Sequence, residues 1–203
     1  MAQKKRLTAS QRRAQLIEVG RHVLAEHGYE ATSVEELARA AGVSKPIIYE
    51  HFGGKEGLFA VIVDREMDIL LQAMTASIAR GTARERFEGA VLAFLRYIEE
   101  RPSGFAVLTR DAPTTNRGNG MHSVIADLAE RIRDVFEREF AKLDRDLDPR
   151  ISPIYAHALI GMVTLTGQYW MDNQELPAEE VAGHLAALGW MGLRHLPTEP
   201  PPL

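Results

Sequence analysis

The 203-residue chain predicts an all-α fold of about nine helices, a small three-helix module followed by a larger helical bundle. Three observations predict it. Apolar residues recur at spacings of three and four in nearly every segment, and no run alternates convincingly at period two. Helix starts (Thr8, Ser33, Ser44) and stops (Gly28, Gly42, Gly81) punctuate the chain at helical intervals. The composition then changes near residue 55, dividing the module from the bundle.

Thr8 and Gln11 fit a capping box that opens a helix with Leu16, Ile17, Val23 and Leu24 on one side, and Gly28 stops it. Ser33 and Glu36 fit a second box, opening a short helix whose Val34, Leu37 and Ala41 face inward and which ends at Gly42. Ser44 caps a third short helix, with Pro46 in the first turn, where a missing N–H costs little. Ile48 and Phe52, four apart, share its buried face. After Gly53-Gly54 a long helix runs from Lys55 to about Arg80, carrying Leu58, Ile62, Ile69 and Met74. A fifth spans Ala83 to Arg101 with Phe87, Val91, Phe94, Leu95 and Ile98, and Pro102 separates it from a short helix over Ser103 to Arg110. Residues 111–120 read as a loop. Met121, Ile125, Leu128, Ile132, Phe136, Phe140, Leu143 and Leu147 form an amphipathic stripe that stops at Asp148-Pro149. The last two helices are Ile151 to Asn173 and Pro177 to His195, followed by a Pro-rich flexible tail at 197–203.

Hydrophobic residues make up 45% and charged residues 26%, which excludes a disordered, collagen-like or histone-like chain. Cysteine is absent, so there is no disulfide, thiolate metal site or thiol switch. The basic start is followed by polar Thr8 to Arg13 rather than the apolar core of a secretory signal. No apolar run reaches the ~18–20 residues of a membrane span. A cytoplasmic protein without a membrane partner is the expectation. The formal net charge of −4 hides its distribution. Residues 1–21 hold six basic residues against Glu18 alone, a net of +5; residues 1–57 carry +2 and the remainder −6. A basic arm beside a compact helical unit is a footprint for DNA phosphates, although a solvated basic terminus has the same composition.

Ser33 to Phe52 sharpens that reading. A capped helix, a Gly42-Val43-Ser44 turn and a second helix are the layout of a helix-turn-helix, whose second helix enters the major groove. With Ile48 and Phe52 buried, Lys45, Pro46, Ile47, Tyr49 and His51 surround the exposed sides. Apolar groups there can meet thymine methyls, while Lys and hydroxyl groups reach bases or phosphate. Ser44 and the helix N-terminus offer donors to a phosphate, and Lys55 can pin another.

The run from Gly28 to Phe59 resembles the N-terminal domain of the tetracycline-repressor (TetR) family. The Ala-Gly-Val-Ser turn, the Tyr49-x-His51-Phe52 helix and the Lys55-Glu56-x-Leu58 start of the fourth helix fall in register. The similarity covers roughly residues 12–60; beyond that only the architecture matches. It implies a homodimeric, usually repressing transcription factor that binds a palindromic double-stranded operator and is released by a small-molecule effector. Carried onto this chain, the DNA-facing residues are Thr32, Ser33, Ser44, Lys45, Pro46, Ile47, Tyr49, His51 and Lys55. Positions 45–47 would meet bases, and Ser44, Tyr49 and His51 mainly the backbone. Pro46 and Ile47 replace a frequent Gly-Thr pair, which bears on the target sequence.

The domains are then a DNA-binding domain over 1–57 with its basic arm and a ligand-binding and dimerisation domain over 58–196. The second offers a large apolar set, most of it ordinary core. A mostly apolar effector cavity would draw on Phe94, Ile98, Phe105, Leu108, Ile125, Leu128, Met162, Thr166, Tyr169 and Trp170, and would suit a lipophilic or acyl-type ligand. The final two helices carry more apolar and small residues than one protomer can cover. Ile151, Ala158, Gly161, Leu165, Leu185, Leu188 and Trp190 are expected at a two-fold interface.

The seven histidines show no metal spacing, Gly118-Asn119-Gly120 follows no strand, and no Gly-x-Ser-x-Gly elbow occurs. Neither enzyme activity nor a metal or cofactor is expected. The competing readings are an activator of the same fold and an all-helical small-molecule-binding protein that never touches DNA.

Overall fold

The computed structural model describes residues 7–109 and 150–194. Among them are eight α-helices and no strand. These are α1 (Ala9–His27), α2 (Val34–Ala41), α3 (Lys45–Phe52), α4 (Lys55–Ser77), α5 (Ala83–Glu100), α6 (Pro102–Thr109), α7 (Ser152–Asp172) and α8 (Ala178–Arg194). The helix expected over 121–147, with Ile125 and Leu128, lies outside the described residues, as does the tail. The long helix stops at Ser77 rather than Arg80, before Gly81 at φ 101°.

The chain forms two compact units. The first holds described residues 7–68 and 103–109. It extends past residue 57 because the early turns of α4 supply its core: Leu58 and Ile62 are fully buried with Leu16, Leu24, Leu37 and Ile48. The capping box at α1 is complete, with Thr8 and Gln11 exchanging side-chain and backbone hydrogen bonds. Gly20 lets α1 approach α4, since a Cβ there would lie 3.0 Å from Leu58 and 3.1 Å from Ile62. The next residue, buried Arg21, faces buried Glu66 of α4 at 3.7 Å and also pairs with Glu18. The Arg21 hydrogen bond holds the Glu18 carboxyl below its ordinary range. His22 Nδ1 lies 3.1 Å from the Ser103 hydroxyl at the start of α6, whose Phe105, Val107 and Leu108 are buried. At the α3–α4 junction a Cβ on Gly57 would lie 1.9 Å from the Phe52 carbonyl oxygen, so only glycine fits that crossing.

The second unit holds the remainder of α4 from Ile69, then α5, α7 and α8. Val91, Phe94, Leu95, Tyr97 and Ile98 of α5 are buried, as are Ala156, Ile160 and Trp170 of α7 and Val181, Ala182 and Ala186 of α8. Two glycines set the packing distance. A Cβ on Gly167 would meet Ile98 at 2.6 Å and Phe94 at 2.9 Å, and one on Gly189 would meet Phe87 at 2.7 Å. The Trp170 indole N–H donates to the Leu176 carbonyl at 2.8 Å, closing the connection from α7 to α8. Arg96 pairs with Glu179 at 2.9 Å, and that hydrogen bond lowers the Glu179 pKa.

Candidate nucleic-acid interface

Residues 32–55 place the candidate DNA-facing side chains before α2, at the start of α3 and along it, and at the start of α4. Ser33 is the N-cap of α2 and accepts from the Glu36 N–H at 3.1 Å. The expected reciprocal half of that box is absent. Glu36 instead lies 3.3 Å from His27 Nε2 and 4.0 Å from Arg39, because the end of α1 brings a competing partner across the turn. Gly42 takes the left-handed conformation at φ 63°, ψ 37°, and Val43 N–H returns to the Ala38 carbonyl at 2.9 Å. Ser44 occupies the N-cap of α3 with extended backbone, yet its side chain makes no capping bond. Its hydroxyl is exposed at the helix start.

On α3, Ile48 is fully buried and anchors the helix, while Lys45, Pro46 and Tyr49 are exposed, Tyr49 at 54%. Ile47 and His51 are half-buried. Phe52, expected in the core, is also half-buried and is covered by the Arg13 guanidinium 4.4 Å from its ring centre. Arg13 also donates to the His51 carbonyl at 2.6 Å, so this basic residue of α1 fastens α3. Gln15 adds a second tie, to the Ala41 carbonyl at 3.3 Å.

Three expected DNA contacts are differently employed. Thr32 is 2% exposed and its hydroxyl donates to the Gly28 carbonyl at 2.6 Å; it shapes the turn before α2 rather than facing outward. Lys55 Nζ donates to the Tyr29 carbonyl at 2.8 Å and sits 4.1 Å from the Tyr29 ring centre, so its ammonium is engaged inside the unit. Tyr29 in turn stands edge-on to Phe59 at 4.8 Å, and burial, then the charges of Glu56 and Glu30, raises its phenol pKa. Lys45 forms an ion pair with Glu35 of α2. Reading the sequence missed Arg13, Tyr29 and Glu35. On charge alone Lys55 reads as a phosphate partner, and no local pattern in the sequence shows which cation has an aromatic ring or a carbonyl within reach.

Of the expected effector residues, Ile125 and Leu128 lie outside the described residues, and the others are taken unit by unit. Phe94 and Ile98 face Gly167 and are core, while Phe105 and Leu108 are buried in the first unit. Trp170 is buried, Met162 and Thr166 are half-buried, and Tyr169 is 70% exposed. A groove of about 350 Å³ instead lies along the other side of α5, lined by Ile69, Ala73 and Ser77 of α4 and by Gly89, Leu92, Ala93, Arg96, Tyr97, Glu100 and Arg101. Helical phase explains the difference, since positions 94 and 98 point away from 89, 92, 93, 96 and 100. Of the residues expected at a two-fold interface, Ala158, Leu165 and Leu188 are exposed, and Ile151, Gly161 and Trp190 half-buried. Leu185 is turned into its own unit at 7% exposure. Tyr169 belongs with the exposed set, as do Ile154 and Met191.

No helix among the described residues is long and apolar enough to cross a membrane. The chain matches the family of bacterial regulatory proteins, tetR family, over residues 16–62, and the tetracyclin repressor-like C-terminal domain over residues 70–200. The transcriptional activator FasR of Mycolicibacterium smegmatis is 27% identical over 196 residues, covering 95% of this chain and 87% of that protein. The regulator PfmR of Thermus thermophilus superposes with a TM-score of 0.72 at 26% identity, over 88% of this chain and 98% of the other. AibR, solved with isovaleryl coenzyme A and operator DNA, shares the fold with a TM-score of 0.72 at 19% identity, over 87% of this chain and 97% of the other. A helix-turn-helix unit joined to a second helical unit, with family matches along both, makes this chain a member of the TetR family of DNA-binding transcription regulators, which are not enzymes.

Proposed function

We propose that the chain is a ligand-responsive regulator that binds a palindromic operator as a homodimer and is released by a small lipophilic effector. The observation that carries this reading is α3. Its buried Ile48 and the Arg13 ties fix the helix, and the same fixation leaves Ser44, Lys45, Pro46 and Tyr49 exposed at its start, beyond a left-handed Gly42. A pre-formed helix with donors and apolar groups at its N-terminal end suits base edges and phosphate in the major groove. The isovaleryl coenzyme A held by AibR supports an acyl-type effector here, and the groove beside α5 is a candidate place for it, with arginines at positions 96 and 101. Repression follows where the operator overlaps a promoter. Activation is the second reading, favoured because FasR, similar over nearly the whole chain, is named an activator.

Selection of bound fragments from genomic DNA tests the reading. A palindromic site should emerge, and its affinity should fall steeply with salt as phosphate contacts release counterions. Failure to recover a site, or a flat salt dependence, overturns it. An acyl-coenzyme A series added to the complex then tests the effector class, with release by one chain length as the expected result.

A further inference from the structure

Lys45 is the first residue of α3 and the cation closest in sequence to exposed Pro46 and half-buried Ile47. It is not free in the unbound protein: its ammonium pairs with the carboxylate of Glu35, in the first turn of α2. The two side chains are 51% and 60% exposed, so the pair lies at the surface of the helix-turn-helix. The neighbouring acid, Glu36, is held by His27 and Arg39. Glu35 reaches across to the other helix, and the first turn of α3 has no acid of its own.

We infer that Glu35 restrains the DNA affinity of this protein by competing with the duplex for Lys45. A phosphate or a guanine edge must displace the carboxylate before the first side chain of α3 can reach the DNA. The displaced carboxylate then faces a polyanion. Glu35 is thus a tuning residue of the interface that makes no favourable contact with DNA itself. Its effect is graded, because an exposed pair of this kind shifts an equilibrium by only about two- to fivefold. The inference rests on α3 being the DNA-facing helix.

The test is a double-mutant cycle in the full-length protein on the operator recovered from genomic selection. Glu35→Gln keeps size and hydrogen-bonding shape while removing the charge. It should tighten operator binding by about two- to fivefold. In a Lys45→Met background the same substitution should gain clearly less, since only the repulsion between the carboxylate and the duplex remains to be relieved. Unchanged affinity for Glu35→Gln overturns the inference. So does a gain of equal size in the Lys45→Met background, which would make Glu35 a source of general repulsion only. Thermal melts matched to the parent protein exclude a folding effect. A parent protein that binds no operator overturns the functional reading itself, whereas binding without Glu35–Lys45 coupling overturns this inference alone.

Discussion

Thr32 and Ser33 stand side by side before α2 and have opposite fates. Ser33 is exposed and caps the helix; Thr32 is buried and its hydroxyl satisfies the Gly28 carbonyl. Thr32→Val keeps the shape and strands that carbonyl, so it should cost about 1–3 kcal/mol of stability in denaturant unfolding. Operator affinity of the folded protein should stay unchanged. Tyr49 and Ile47 separate differently. Tyr49→Ala should weaken binding to all sequences alike, whereas Ile47→Ala should alter base preference at one position of each half-site, read by competition with a set of operator variants. A uniform loss for Ile47→Ala would remove its base-reading role. Glu18 supplies a pH-dependent term. Its pKa is lowered in the folded protein, chiefly by the Arg21 hydrogen bond, so its contribution is complete above the unfolded value of 4.5 and fades as pH falls through the lower folded value. Glu18→Gln should therefore be less stable than the parent at neutral pH, and the two melting curves should converge in acid.

Among the elements, boundaries were the most legible feature. Gly28, Gly42 and Gly53 end α1, α2 and α3 at positive φ where a sequence reader would stop them, because a left-handed residue is a local requirement that only the chain itself can meet. The buried faces of α1, α2 and α5 follow from apolar spacing for the same reason. What escaped was decided by partners distant in sequence. Glu36 turns to His27 and Lys55 turns to Tyr29, each outcome depending on a residue outside its own helix. Helical phase likewise placed Leu185 inward and Tyr169 outward, contrary to expectation, since a wide apolar stripe has two edges. Gly57 was silent in the sequence, and its meaning lies in the Phe52 carbonyl against which a side chain would collide. Gly57→Ala should destabilise the α3–α4 junction by about 1–3 kcal/mol, as overpacking generally does. Thermal unfolding measures the loss, and operator affinity should drop with it because α3 is displaced.

At the scale of the whole molecule, α7 and α8 leave Ile154, Leu165, Tyr169, Leu188 and Met191 between 64% and 70% exposed. Apolar groups on two adjacent helices call for a cover, and in the proposed homodimer a second copy of the chain would supply it with two-fold symmetry. Leu165→Glu combined with Leu188→Glu should shift sedimentation toward the monomer. The variant should also lose most operator affinity, because two half-sites are then no longer engaged by one particle. Retention of a dimer would move the interface elsewhere. The charge distribution belongs to this scale as well: a net of −4 combines +2 over residues 1–57 with −6 beyond them.

The hydrogen bond from Trp170 to Leu176 has a practical corollary. The chain has two tryptophans, Trp170 and Trp190, both in the second unit, and the reading helix has none. Intrinsic emission is therefore a one-sided reporter. Trp170, buried and tethered at its indole nitrogen, should emit toward the blue, and half-buried Trp190 farther to the red. Ligand entry or subunit dissociation should shift that spectrum directly. Binding of DNA should register only to the extent that the two units are coupled, so a titration with operator alone would measure that coupling optically, without any label.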